Sequence, residues 1–191
     1  MKKYIFIITA IIISSCNNSK KENTNNEKVV KKELRPFFDS DEINHYYLGS
    51  TSDFEHLFND NAKQTEKKKE FSTFFYGYYP KNVEKSFENL LLKYDYKKSD
   101  LSIKQQKQIQ NVFSEKDSIQ TDGYACIAEY RDIFIFRKKE KTIGIAKICF
   151  KCGRFQIIGS KIDTQYFGLW SELDKLKKIV RPENYSILIT E

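Results

Sequence analysis

Glycine, proline, tryptophan and methionine are scarce, at seven, three, one and one in 191 residues. The chain has no Walker loop, no glycine-rich dinucleotide turn, no HExxH sequence and no internal repeat. It therefore lacks the local signatures of nucleotide binding and of zinc-protease chemistry. Histidine is limited to His45 and His56. Neither belongs to a nucleophile-and-acid arrangement that the sequence can locate, and both read as ordinary helix residues. No apolar run reaches the ~20 residues that a membrane-spanning helix needs. The longest opens the chain, Tyr4 to Ile13, and is only ten residues long.

What is present is aromatic. Fifteen Phe and twelve Tyr bring the aromatic fraction to 15% within a hydrophobic fraction of 40%. Rings bury large areas, so a domain of this size has the material for one packed core without crosslinks. The formal net charge is +7, and it falls to +5 once Lys2 and Lys3 are set aside with the first segment. Basic residues are scattered among acidic ones, so no nucleic-acid partner is expected. The one dense run, Lys67-Lys68-Lys69, reads as a solvated loop.

The start of the chain has its own grammar. Met1-Lys2-Lys3 is basic, the run from Tyr4 follows, and it ends in Ile13-Ser14-Ser15-Cys16. That order resembles the leader and lipobox of bacterial lipoproteins, an aliphatic residue, two small residues and an obligatory cysteine. The resemblance covers the first sixteen residues. It implies a signal peptide over 1–15, diacylglycerol on the Cys16 thiol, and cleavage before Cys16 with acylation (palmitate or a similar chain) of the new amino terminus. The location it implies is the bacterial cell envelope, on the outer-membrane or periplasmic face. Each buried methylene contributes ~0.8 kcal/mol, so three chains anchor far more firmly than one. Residues 16–32 are then the lipidated cysteine and a tether rich in Asn, Lys, Glu and Ser. Such a composition cannot offset its ordering entropy, and it spans roughly 20–25 Å on average.

Residues 33–191 read as one α+β domain, a mostly antiparallel sheet with several helices packed on one face. Asp39-Ser40-Asp41-Glu42 offers capping chemistry for a short helix through Tyr47. Asp53 offers the same for a helix carrying Phe54, Leu57 and Phe58. Phe71 to Tyr79 is dense in strand formers and ends at Pro80. Its alternating rings point to core on one side, or to a platform for sugar rings. Val83, Phe87, Leu90, Leu91 and Tyr94 recur at helical spacing, and Ser102-Ile103-Lys104-Gln105 has the form of a capping box. Cys126–Arg137 and Thr142–Cys149 read as a hairpin across Lys138–Lys141, and Phe155–Ile158 as a third strand. Ser171 caps a helix with Leu173, Leu176, Ile179 and Val180 inward; Tyr185–Thr190 closes the chain as a strand.

With Cys16 given to lipid, Cys126, Cys149 and Cys152 are left. In an oxidising compartment a disulfide must be considered. Three residues along a straight strand separate Cys149 from Cys152 by about 10 Å, too far to bridge. A turn at Phe150–Gly153 removes that obstacle. The hairpin register sets Cys126 opposite Cys152 or Gly153, which makes Cys126–Cys152 the leading pairing. A zinc site at Cys126, Cys149 and Cys152 is a weaker alternative, because a structural site wants four ligands. No cofactor is expected.

Cys126 to Phe136, with Ile148-Cys149-Phe150-Lys151-Cys152-Gly153, also resembles a set of small bacterial envelope proteins with no assigned activity. The resemblance covers about residues 126–160. Within it Tyr130, Arg131 and Asp132 form a possible polar site beside the cysteines, although cross-strand pairing, for instance of Asp132 with Lys147, is the favoured explanation of the charge. The expected role is a non-enzymatic binding or assembly protein of the envelope, held to the membrane through its lipid and engaging a protein partner. The alternatives are an immunity or inhibitor lipoprotein acting against a toxin or hydrolase, and a cysteine-dependent or zinc-binding protein.

Overall fold

The computed structural model describes residues 34–49, 65–116 and 126–182. The chain divides into two units, Met1–Lys32 and Glu33–Glu191, and the second is the folded domain considered below. The helix expected after Asp53 and the strand expected at Tyr185–Thr190 lie outside the described residues, as do His56 and Cys16.

Five antiparallel strands form the centre: β1 (Glu42–Tyr47), β2 (Lys97–Ser99), β3 (Asp132–Lys138), β4 (Lys141–Cys149) and β5 (Arg154–Ile158), in the order β2-β1-β3-β4-β5. Four helices are described: α1 (Glu66–Phe75), α2 (Phe87–Lys93), α3 (Ile103–Val112) and α4 (Trp170–Val180). The class is α+β, as the composition and element pattern indicate. The helices, however, divide between the two faces of the sheet rather than gathering on one. Side chains alternate across a strand, and every central strand here is apolar on both sides. Ile133 and Ile135 of β3 point into one core with Phe71, Phe74 and Phe75 of α1 and Phe87 and Leu91 of α2. Phe134 and Phe136 point into another with Ile109 and Val112 of α3 and Leu173 and Leu176 of α4. A strand covered on both faces reads as a continuous apolar run, which Ile133-Phe134-Ile135-Phe136 is.

Two elements differ in kind from their sequence reading. Glu42–Tyr47 is strand β1, not a helix. The acidic residues before it cap something else: Asp41 Oδ2 accepts from the Lys139 amide at 2.9 Å, and Asp39 pairs with Lys138, so they brace the β3–β4 turn. The stretch from Phe71 is helix α1, not a strand. Thr65 caps it by accepting from the Lys68 amide at 3.2 Å. Phe71, Phe74 and Phe75 then fall at i, i+3 and i+4, all wholly buried, so they cannot form a sugar-stacking platform. The lysine run is consequently the outer side of the first helical turns and not a loop.

Local signals elsewhere are met. Ser102 Oγ accepts from the Gln105 amide, and Gln105 Oε1 accepts from the Ser102 amide at 3.0 Å, a complete capping box opening α3. The β3–β4 hairpin turns at Lys139 and Glu140, with φ of 49° and 64°. Both residues occupy the left-handed region that a two-residue hairpin turn demands. Cys126–Arg131 lies outside β3, which begins at Asp132. Ser171 is the second residue of α4, and the cap position is Leu169.

Candidate functional site

The sequence grouped Tyr130, Arg131 and Asp132 with the cysteines. The structure splits them. Tyr130 and Arg131 precede β3, so strand alternation does not hold Tyr130 on the face of Asp132: Tyr130 packs in the first core, Asp132 opens β3 on the second face, and Arg131 between them reaches outward to Glu129 at 2.9 Å and to the Gly49 carbonyl at 2.7 Å.

On the first face, β4 carries Lys147 and Cys149. The Lys147 side chain is wholly buried. It donates to the carbonyls of Gly77 at 2.6 Å and Tyr79 at 2.8 Å, and lies 4.3 Å from the centre of the Tyr130 ring. Burial pulls its ammonium down to about 7, and burial pushes the Tyr130 phenol up to about 12. The expected Asp132–Lys147 pair is absent. Lys147 is registered with Ile133, while Asp132 is registered with Ile148 on the other face.

Cys149 ends β4, the chain turns through Phe150–Gly153, and Gly153 at φ 64° returns it into β5. The turn brings the Cys149 and Cys152 sulfurs to 2.8 Å. Cys126 Sγ lies 3.9 Å from the Cys152 carbonyl oxygen, so the three cysteines meet. All three are free thiols; no disulfide joins them, neither the Cys126–Cys152 pair favoured by the hairpin register nor another. Cys149 and Cys152 are buried and Cys126 is half-buried. Burial, then the neighbouring Cys126 and Cys149 thiols, pushes Cys152 up to about 12. A thiol held so far from its thiolate is a poor nucleophile and a poor metal ligand as it stands. Among the described residues no group of three or more His, Cys, Asp and Glu is arranged to hold a metal ion.

The second face holds a polar line that the sequence reading missed. His45 lies in β1, wholly buried, and is not a helix residue. Its Nε2 is 3.1 Å from Asp132 Oδ1, and its Nδ1 is 2.9 Å from Ser99 Oγ. Asp132 Oδ2 accepts from Arg181, just past α4, at 2.5 Å. Four residues from four parts of the chain thus form one hydrogen-bonded line from the end of α4 to the sheet edge. Registry explains it: Ser99 is the cross-strand partner of His45, and Phe134 is the other. Asp132 is two residues from Phe134 and so shares its face. Ser99 itself is half-buried and lines an open groove of about 400 Å³ with Glu42, Lys98, Ser102 and Gln106.

Two further shallow clefts flank α2. One, of about 540 Å³, is lined by Glu70, Thr73, Tyr79, Asn89 and Lys93; the other, of about 600 Å³, by Glu84, Glu88 and Arg137. Their charges are largely satisfied: Glu70 is held below the usual carboxylate range by hydrogen bonds from Lys93 and Tyr94, and Glu88 pairs with Arg137. Among the described residues no helix is long and apolar enough to cross a membrane. No protein-family model matches the chain, and neither a curated protein nor a solved structure shows significant similarity to it.

Proposed function

We propose that this chain is a lipid-anchored protein of the bacterial cell envelope with a binding or assembly role. The observation that carries the reading is Ile13-Ser14-Ser15-Cys16 at the end of a basic start and a ten-residue apolar run. The rest of the reading is consistent with a small folded unit presented on a tether. That unit begins at Glu33, well after Cys16, and its described surface carries open clefts beside α2. The test has two parts. Metabolic labelling with a palmitate analogue reports the anchor, and mild crosslinking in the solubilised envelope reports the partner. A labelled band lost in Cys16→Ser, with one stoichiometric crosslinked protein, supports the reading. An unlabelled chain with its initiator methionine intact removes it.

A second reading, a cysteine-dependent protein, is favoured by the 2.8 Å approach of Cys149 and Cys152. In that reading the pair that oxidises is Cys149–Cys152. Mapping the thiols of protein taken from the envelope without reductant distinguishes it: a Cys126–Cys152 link or three free thiols counts against it.

A further inference from the structure

We infer that Cys126, Cys149 and Cys152 are a thiol–disulfide exchange site, in which Cys126 takes up a disulfide from solution and passes it inward to Cys149 and Cys152. The inference rests on the cysteine-dependent reading above and adds to it a substrate class, an entry point and an order of steps. Two separate stretches of chain bring the three cysteines into one cluster, and Cys152 is its centre. The Cys152 sulfur lies 2.8 Å from that of Cys149, and the Cys126 thiol adjoins it as a hydrogen-bonding neighbour. Two more contacts close the cluster. The Cys126 sulfur reaches the Cys152 carbonyl at 3.9 Å, and the Cys152 sulfur reaches the Ile127 carbonyl at 3.7 Å.

Exposure sets where a disulfide enters. Cys149 and Cys152 are 2% and 6% exposed, whereas Cys126 is half-buried and Ile127 beside it is 78% exposed. A disulfide arriving from solution therefore meets Cys126 first. Basicity sets where the bridge stops. Burial pushes the Cys152 thiol up to about 12, and a sulfur that basic is a poor leaving group. A bridge that contains Cys152 is accordingly exchanged with Cys152 retained. Attack by Cys149 on a Cys126–Cys152 bridge displaces Cys126 and leaves the bridge where the sulfurs already approach closest. The same basicity leaves about one Cys152 in ten thousand as thiolate at pH 8, which an effective molarity of ~10⁵ M for groups held in contact offsets.

Cys126, its proton lost to water, attacks one sulfur of an external R–S–S–R. That S–S bond breaks, a Cys126–S–S–R bond forms, and the displaced R–S⁻ takes a proton from water. Cys152 then attacks the Cys126 sulfur, and the second R–S⁻ leaves with the proton that Cys152 gives up. Cys149 attacks the Cys152 sulfur, and its proton goes to the displaced Cys126. Two protein thiols are oxidised, one external disulfide is reduced to two thiols, and Cys126 is restored. Only the outermost sulfur has to meet the substrate, and no step needs water inside the cluster.

The test gives bis(2-hydroxyethyl) disulfide to the reduced full-length protein in detergent at pH 8 without air, with acid quenching and peptide mapping, which keeps Cys16 apart. The parent should end with a Cys149–Cys152 bridge. Cys152→Ser should stop at a stable hydroxyethyl adduct on Cys126, and Cys149→Ser at a Cys126–Cys152 bridge. Cys126→Ser and Cys126→Ala should each oxidise at least tenfold more slowly than the parent. A Cys126 variant that oxidises at the parent rate, a first adduct on Cys149 or Cys152, or no reaction in the parent would overturn the relay and leave the Cys149–Cys152 pair to be judged on protein from the envelope. A parent that stops at Cys126–Cys152 would remove that pair and the inward transfer with it. If a buried serine variant does not fold, the parent and the two Cys126 variants decide alone.

Discussion

Lys147 sits over the ring of Tyr130, with its Nζ 4.3 Å from the ring centre and its hydrogens given to the carbonyls of Gly77 and Tyr79. A lysine on a strand buried on both faces would ordinarily be costly. This one staples the chain after α1 to the sheet, and Gln156 beside it donates to the carbonyls of Tyr78 at 2.8 Å and Pro80 at 3.1 Å.

The staple gives the domain an alkaline pH dependence with a definite sign. The folded-state value of Lys147 is lowered by burial to about 7 from the ordinary 10.5. Between those limits the unfolded chain binds more protons than the folded one, so stability rises with pH across that window. Tyr46, Tyr79, Tyr94, Tyr96 and Tyr130 are all raised in the folded state above their ordinary 10. Their contribution is complete below pH 10 and is lost as pH climbs through the raised values. Urea unfolding from pH 6.5 to 11.5 should therefore show stability rising from neutrality and falling beyond about pH 10. A flat or falling profile between pH 7 and 10 would count against the buried lysine.

Lys147→Met isolates the same group. It keeps the length and removes the donor, leaving two inward carbonyls without their partner at ~1–3 kcal/mol each. Relief of the buried charge offsets part of that at neutral pH. The variant should be less stable than the parent by a few kcal/mol at pH 9.5, by less at pH 6.5, and should lose the rise between them.

Gly144 is a packing necessity. A Cβ built there would lie 2.1 Å from the Phe38 ring, which stacks on Phe136 with centroids 4.3 Å apart. Gly144→Ala should cost about 1–3 kcal/mol by overpacking. Combining it with Phe38→Leu should cost less than the sum of the two single changes, measured by denaturant unfolding in a double-mutant cycle.

Asp132 is the keystone of the second face. Asp132→Ala strips the partner from buried His45 and from Arg181 together, and breaking such a buried network costs about 3–5 kcal/mol. Adding Arg181→Met should recover part of that loss. Additive losses would mean that the Arg181 contact contributes nothing.

Thiol reactivity follows burial. In reduced, folded protein, iodoacetamide should modify Cys126 first. Cys149 and Cys152, at 2% and 6% exposure, should react only on unfolding. Peptide mapping after a short pulse reads this directly.

Much of this architecture is legible in the sequence where the signal is local. The Ser102–Gln105 capping box, the apolar pair of strands around Lys138–Lys141, the turn at Gly153 and the inward face of α4 are each written within a few residues. Two stretches carry a local pattern that fits more than one structure. Phe71-Ser72-Thr73-Phe74-Phe75 has a strand's composition, yet its buried rings repeat with a helix's spacing. Asp39–Glu42 looks like a helix cap, but its carboxylates brace a hairpin almost a hundred residues away. The His45 line was illegible for the same reason: Ser99, Asp132 and Arg181 reach it from far along the chain, through strand registry that no local pattern encodes. The cysteine meeting was half legible. Gly153 marks the turn, and the closest approach falls to Cys149 and Cys152 because β3 starts at Asp132, too late to carry Cys126 in its ladder.

The most direct test of the account is the intact mass of the mature chain extracted from membranes. A polypeptide beginning at Cys16 and carrying diacylglycerol plus an amide-linked acyl chain is the predicted result, with Cys16→Ser giving neither cleavage nor lipid. A soluble chain still beginning at Met1, with no added mass, would contradict it.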